Sequence, residues 1–210
     1  MICTDDWKVV FQYGSHIYGT NTSKSDEDFI VVGGYSPVEH HEDNKNIRVF
    51  PLQDFIVFLE MHEPVAFECV SVLKMNNNRY VRVIDSKFSN IIDKFYNTTL
   101  NLIKLRKAFS QKASNSIVKA KKKCLHEDED YYIGMKSLFH SIRLMDFGTQ
   151  IAKNKYITDF KSMSYVWHDI LNKQNDFKSV KTEDEWKELI EPWKKLYNKK
   201  HLEFKSVTSK

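Results

Sequence analysis

Cysteine, proline and glycine are scarce in this chain: three, four and six in 210 residues. So few breakers, with 41% of residues hydrophobic, exclude collagen-like, low-complexity and wholly disordered chains. Cys3, Cys69 and Cys124 are far apart and odd in number, which argues against a disulfide framework and for a reducing compartment. Long apolar runs are missing too, since stretches such as Phe55 to Leu59 fall far short of a membrane span. Met1 to Lys8 shows no basic-then-apolar leader. The expectation is a soluble, cytoplasmic protein with no membrane partner. Neither sign of charge dominates: Lys and Arg number 32 against 28 Asp and Glu, a net +4. Attraction for anions must therefore be sought in local clusters. The length suits one large domain or two small ones, and 14 Phe, 10 Tyr and 4 Trp supply ample packing material.

The first third alternates β-like runs with turn chemistry. Trp7 to Tyr13 stops at Gly14-Ser15, Asp28 to Val32 stops at Gly33-Gly34, and Ile47 to Phe50 stops at Pro51. Glu39 to Lys45 reads as a polar loop, and Asp54 to Met61 as a short amphipathic helix. Ala66 to Leu73 fits a helix or a strand equally well. From about Asn90 helical spacing takes over, predicting helices near 87–97, 99–123, 130–153, 160–173 and 183–199. Thr182 to Glu185 offers a capping box, Pro192 predicts a kink or break, and the tail after Phe204 reads as frayed. The predicted fold class is α+β: a small mixed-sheet domain over 1–95, then an all-helical domain over 96–210.

Chemistry concentrates in Gly14-Ser15-His16-Ile17-Tyr18-Gly19 and the residues up to Asp28. A strand delivers a Gly-Ser turn to the start of a short helix, where unpaired N–H groups and Ser15 Oγ favour an anion. Asp26 and Asp28 then enter the next strand, and alternation puts both on one face with Glu27 on the other. Paired carboxylates beside a phosphate-binding turn suit Mg²⁺, which takes hard oxygen ligands together with substrate phosphates.

This pattern, GSHIYGTNTSKSDEDF, resembles the DNA polymerase β-like nucleotidyltransferase superfamily. It is most similar to a bacterial and phage branch associated with RNA repair. Weaker similarity runs through Phe109 to Lys122 and Met135 to Asp159. The resemblance implies transfer of a nucleoside monophosphate from an NTP to an acceptor hydroxyl, with RNA or a tRNA 3′ end as the acceptor. It implies Gly14 and Ser15 on the nucleotide phosphates and Asp26 and Asp28 on Mg²⁺ or Mn²⁺. It also implies a cytoplasmic setting, the host's cytoplasm if the chain is phage- or virus-encoded. A third acid is expected on a neighbouring strand, yet Ile47 to Phe50 carries none and Arg48 repels cations. Glu68 is the chosen third catalytic and metal-binding carboxylate, against the reading of a helix-surface or salt-bridged acid. Asp54 and Glu60 are poorer choices, since an amphipathic helix turns them to solvent.

Two basic features remain. Lys136, His140 and Arg143 fall within about 60° on a helix, opposite the apolar Met135, Leu138, Phe139, Ile142 and Met145. That stripe is either solvated or turned to triphosphate or RNA phosphates, and His140 reads equally as a hydrogen-bonding core histidine. Asn101 to Cys124 carries eight cations and no acid, among them Lys119, Lys121, Lys122 and Lys123. This run is either a nucleic-acid-binding surface or a solvated face balanced by the acids from Glu127 to Asp130. His40 and His41 with Glu42 and Asp43 lack supporting ligands at metal spacing and read as loop. His16 either touches a phosphate or base or merely caps, and the four Trp are packing residues. Ser15 has no His/Asp partner at triad spacing. Two other functions stay open: a degenerate module that binds nucleotide or RNA, and a transferase acting on protein or a small molecule.

Overall fold

The computed structural model describes residues 6–75, 79–83, 85–125 and 130–209. Cys3, most of the Met1 to Lys8 segment and residues 127–129 of the acidic cluster lie outside them. The fold is α+β, a five-stranded mixed sheet followed by helices. The chain divides into two compact units, one running through Lys104 with Tyr156–Lys161 added, the other Leu105–Lys155 with Ser162–Lys210.

The first unit holds β1 (Trp7–Tyr13), α1 (Ser15–Tyr18), β2 (Glu27–Gly33), β3 (Val38–Glu42), β4 (Lys45–Phe50), α2 (Leu52–Glu60), α3 (Pro64–Lys74), β5 (Val81–Val83) and α4 (Ser86–Thr99). The strand order is β3-β4-β2-β1-β5. β2 and β4 pair in parallel, and the other neighbours are antiparallel. Alternation along β1 buries Val9 and Phe11, β2 buries Ile30, Val31 and Val32 in succession, and Phe11 stacks on Phe55 of α2 with ring centroids 6.2 Å apart. α3 packs against β1 and α4 packs on both α2 and α3.

Two expectations about this unit need correction. Residues 39–45 are not a loop but most of a hairpin, β3 turning into β4 through Asp43 (φ 42°) and Asn44 (φ 62°). Two successive positive φ values are what a two-residue hairpin requires, and Asp-Asn supplies them. β3 is an edge strand with little burial on either face, so it carries no hydrophobic alternation to betray it. Residues 66–73 resolve as helix because α3 is buried nearly all round, which erases the period.

His62 links the two halves of this unit's helical layer. It is fully buried at φ 59°, donates from Nδ1 to the Glu60 carbonyl (3.0 Å) and accepts at Nε2 from Asn101 N–H (3.0 Å). Asn101 Oδ1 in turn caps the N–H groups of Ile103 and Lys104. Only the neutral ring can accept at Nε2, and burial first, then Lys104, holds its pKa below the ordinary 6.5.

The second unit contains most of α5 (Leu102–Leu125), then α6 (Tyr131–Asn154), α7 (Ser164–Asn172), α8 (Gln174–Ser179) and α9 (Glu183–Thr208). α6 runs through the middle, packed against α7, α8 and α9. Two glycines on it act as windows. A Cβ at Gly134 would lie 2.5 Å from Cys124 Sγ, and one at Gly148 would lie 2.5–2.9 Å from three ring atoms of Phe204. Trp167, Phe177, Trp186 and Trp193 join the same core as α6's Met135, Leu138 and Ile142.

The capping box at Thr182 and Glu185 is present, with both reciprocal bonds formed. The expected break at Pro192 does not occur. Pro192 is exposed, so the carbonyl deprived of its donor faces water, and burial of Trp186, Ile190 and Trp193 holds the helix through it. Nor is the tail frayed: α9 continues to Thr208, which is buried and accepts from Arg106 Nη1 at 3.5 Å.

Two stability predictions follow from these contacts. Gly148→Ala should cost about 1–3 kcal/mol in denaturant unfolding, because the ring of Phe204 cannot retreat within a closed core. The His62 ring is neutral in the fold and its folded pKa lies below that of the unfolded chain. The unfolded chain therefore takes up the proton first, so its contribution is present above pH 6.5 and is lost as pH falls below it. Stability measured from pH 7 down to pH 5 should decline, with a shallower slope in His62→Gln.

Candidate functional site

The site grows from the end of β1. Gly14 follows Tyr13 at φ 80°, ψ −156°, a region that essentially only glycine occupies. Its carbonyl accepts from Ile17 N–H (3.1 Å) and Tyr18 N–H (3.2 Å), bending the chain into the single turn of α1, which Gly19 closes at φ 68°. The first N–H groups of that turn have no intrahelical acceptor. Gly14 is needed a second time for space: a Cβ there would lie 2.1 Å from Asp28 Oδ2 and 2.9 Å from its Cγ. The Asp28 carboxylate thus lies directly over the turn.

Register explains what surrounds it. Tyr13 pairs with Asp28, Asp28 with Asn46 and Asn46 with His41, giving a polar row across β1, β2, β4 and β3. Asn46 Nδ2 donates to Asp28 Oδ1 (3.1 Å) and to Asp26 Oδ2 (3.4 Å), while His41 Nδ1 donates to Asn46 Oδ1 (2.5 Å). Asp26 and Asp28 therefore converge on one amide group. Glu27 turns the other way and accepts from Gln12 Nε2 at 3.5 Å. The approach to Asp26 is shaped by reciprocal bonds between Thr22 and Ser25 and by His16 Nε2, 3.5 Å from the Ser25 carbonyl. Of the two uses weighed for His16, its contact here is with this loop.

Tyr13, beside Asp28, has its phenol pushed up to about 12, by burial first, with Asp28, Cys69 and Glu68 adding and Arg48 opposing. It stays a neutral hydroxyl at any working pH. Arg48 is held by Glu39 at 2.9 Å.

Glu68 is not a helix-surface acid but is buried on α3, where Oε2 accepts a hydrogen bond from the Tyr18 hydroxyl, and like Asp28 it acts on the Tyr13 phenol. Among the described residues no three His, Cys, Asp or Glu side chains gather closely enough to hold a metal ion, so Asp26, Asp28 and Glu68 do not form the expected three-acid site. The position beside Asp28 on the neighbouring strand belongs to Asn46, a neutral amide. Sequence reasoning passed over Asn46 because it lies outside any motif; the Asp43-Asn44 turn signals only its pairing with His41 on β3, and the parallel register with β2 that sets it beside Asp28 has no local signal.

Lys136, His140 and Arg143 do not form one solvated stripe. Lys136 is exposed, with Nζ 4.7 Å from the Tyr132 ring centroid. Arg143 is buried between the rings of Phe139 and Phe147, and its Nη2 donates to His140 Nδ1 at 2.8 Å. Burial, then Arg143, Lys112 and Lys119, hold the His140 pKa well below its ordinary value, so the ring is neutral and free to accept that bond. In the basic run, Lys121 forms an ion pair with Glu183 at 2.6 Å, while Lys119 and Lys122 are exposed and Lys123 is half-buried.

No family model matches the chain, and no curated protein matches it. Among solved structures it is similar to a nucleotidyltransferase-like protein from Exiguobacterium sibiricum 255-15, with a TM-score of 0.32 and 9% identity over 98% of this chain and 69% of that one. A likeness that distant carries nothing about the site, which stands on its own geometry. Among the described residues no helix is long and apolar enough to cross a membrane.

Gly14→Ala should lower stability by about 1–3 kcal/mol, because it forces both the backbone and Asp28 to move. In the double variant with Asp28→Ala the combined loss should fall short of the sum, as the carboxylate met by the new methyl is gone. Denaturant unfolding of the four proteins measures the coupling.

Proposed function

We propose that this chain is a divalent-metal-dependent nucleotidyltransferase that moves a nucleoside monophosphate from an NTP to an acceptor hydroxyl. One observation supports it above all: the Asp28 carboxylate lies over the Gly14 turn and converges with Asp26 on a single Asn46 amide. Two carboxylates aimed at one point fit Mg²⁺ or Mn²⁺, which keep few protein ligands and complete their shell with water and phosphate oxygens. When bound, the ion supplies charge to offset the phosphates and to acidify the acceptor hydroxyl. The Ser15 N–H and Oγ at the Gly14 turn hold phosphate oxygens, and Asp26 and Asp28 would hold the divalent ion that offsets the charge of the α-phosphate. The acceptor oxygen forms a bond to the α-phosphorus as the bond to the bridging β-oxygen breaks. Pyrophosphate leaves with that electron pair, and the hydroxyl proton passes to water.

The acceptor we favour is an RNA or tRNA 3′ end, supported by the exposed Lys104, Lys107, Lys112, Lys119 and Lys122 of α5. A second reading, a module that binds nucleotide without transferring it, is favoured by a different observation. Glu68 is committed to Tyr18, and the neutral Asn46 stands where a third acid would strengthen the site.

Pyrophosphate release from each of the four NTPs, with Mg²⁺ or Mn²⁺ and total RNA, decides between the readings. Turnover should occur and fall at least a hundredfold in Asp26→Asn/Asp28→Asn, with the unfolding midpoint little changed. Release that persists in the double variant overturns the proposal, and metal-dependent NTP binding without release by the wild type establishes the module instead.

A further inference from the structure

Tyr156–Lys161 belongs to the sheet-bearing unit although it lies far along the chain. It is firmly seated there. Ile157 is fully buried and its N–H donates to Ser71 Oγ at 2.9 Å, and Phe160 is buried. Asp159 Oδ1 accepts from the Lys161 N–H at 2.8 Å, fixing the backbone from which the side chain departs.

The Lys161 side chain then runs across Gly19. A Cβ on Gly19 would lie 3.2 Å from Lys161 Cδ, 3.3 Å from Cγ and 3.5 Å from Cε, so three successive methylenes follow the glycine backbone and Nζ lies one bond beyond. Surface lysines usually sample many rotamers, whereas this stem rests on a side-chain-free patch. The residue is exposed, and among the described residues no carboxylate pairs with its ammonium group. Arg48 is occupied by Glu39, so it offers no equivalent charge.

Gly14 and Gly19 are the two ends of one short turn. At roughly 1.5 Å per residue they lie about 7 Å apart along it, a span comparable to a triphosphate chain. Asp28 covers the first end and the Lys161 stem covers the second. We propose that Lys161 contacts the β- and γ-phosphates of the NTP, the part that leaves as pyrophosphate, while Asp26 and Asp28 serve the α-phosphate. This rests on the nucleotidyl-transfer reading and gives Lys161 the role that sequence reasoning gave to Lys136 and Arg143. The ammonium offsets charge that grows on the bridging β-oxygen as its bond to the α-phosphorus breaks.

The test is titration calorimetry on the full chain with Mg²⁺ and, in turn, each NTP, the matching NMP and inorganic triphosphate as a base-free probe. Lys161→Gln should weaken NTP and triphosphate binding about tenfold or more and leave NMP binding within about twofold. Lys161→Arg should recover most of the loss, and circular dichroism should show both variants folded. Unchanged NTP affinity in Lys161→Gln, or equal losses for NTP and NMP, overturns the inference. If Asp28→Asn still abolishes metal-dependent NTP binding in that case, the broader reading survives alone. A wild-type chain that binds no NTP with Mg²⁺ overturns both.

Discussion

The contact between the Asp28 carboxylate and the α-carbon of Gly14 organises everything around it. It demands a residue with no side chain, in a backbone region closed to other residues, at the one point where β1 ends. Once that position is glycine, the chain can fold under the carboxylate and present N–H groups beside it. Placing a donor-rich turn and an acid in van der Waals contact gains nothing for stability by itself, because a carboxylate in such a place gives up hydration. The arrangement makes sense where the charge and the donors act together on a third body.

The sheet brings the remaining parts to that point through register alone. Because β2 and β4 are parallel and in step, Asn46 arrives beside Asp28, and His41 arrives beside Asn46 across the hairpin. The His41 N–H fixes which end of the amide faces the two aspartates, so their mutual repulsion is moderated by a donor rather than increased by another acid. Beneath the turn, the buried Glu68 holds Tyr18 and so holds α1 in place. Its part is to fix the floor of the site.

Much of this was legible in residue order. The apolar runs located β1, β2 and β4, the spacing from Gly14-Ser15 to Asp26 and Asp28 anticipated that the two acids meet beside that turn, and Thr182 with Glu185 located the start of α9. What stayed hidden had physical reasons. β3 is exposed on both faces and α3 is buried all round, so neither shows a period. Arg143 shares a helical face with Lys136, but a helical wheel does not show how many neighbours surround a helix. α6 is walled on several sides, so its arginine ends between two phenyl rings. Asn46 and Lys161 belong to no motif and gain meaning only from the strands and segments that carry them into place.

The return of Tyr156–Lys161 to the sheet-bearing unit also bears on biosynthesis. A chain emerging from the ribosome exposes its strands early, yet Ser71 lacks the Ile157 N–H, and the hydrophobic seats of Ile157 and Phe160 stay empty, until that later segment clears the exit tunnel. α6 likewise waits for Phe204, far along the chain from it, to fill the window at Gly148. The sheet-bearing unit therefore cannot finish its core until part of the other unit has been made. Each core is thus closed by a segment made long after the elements it packs against.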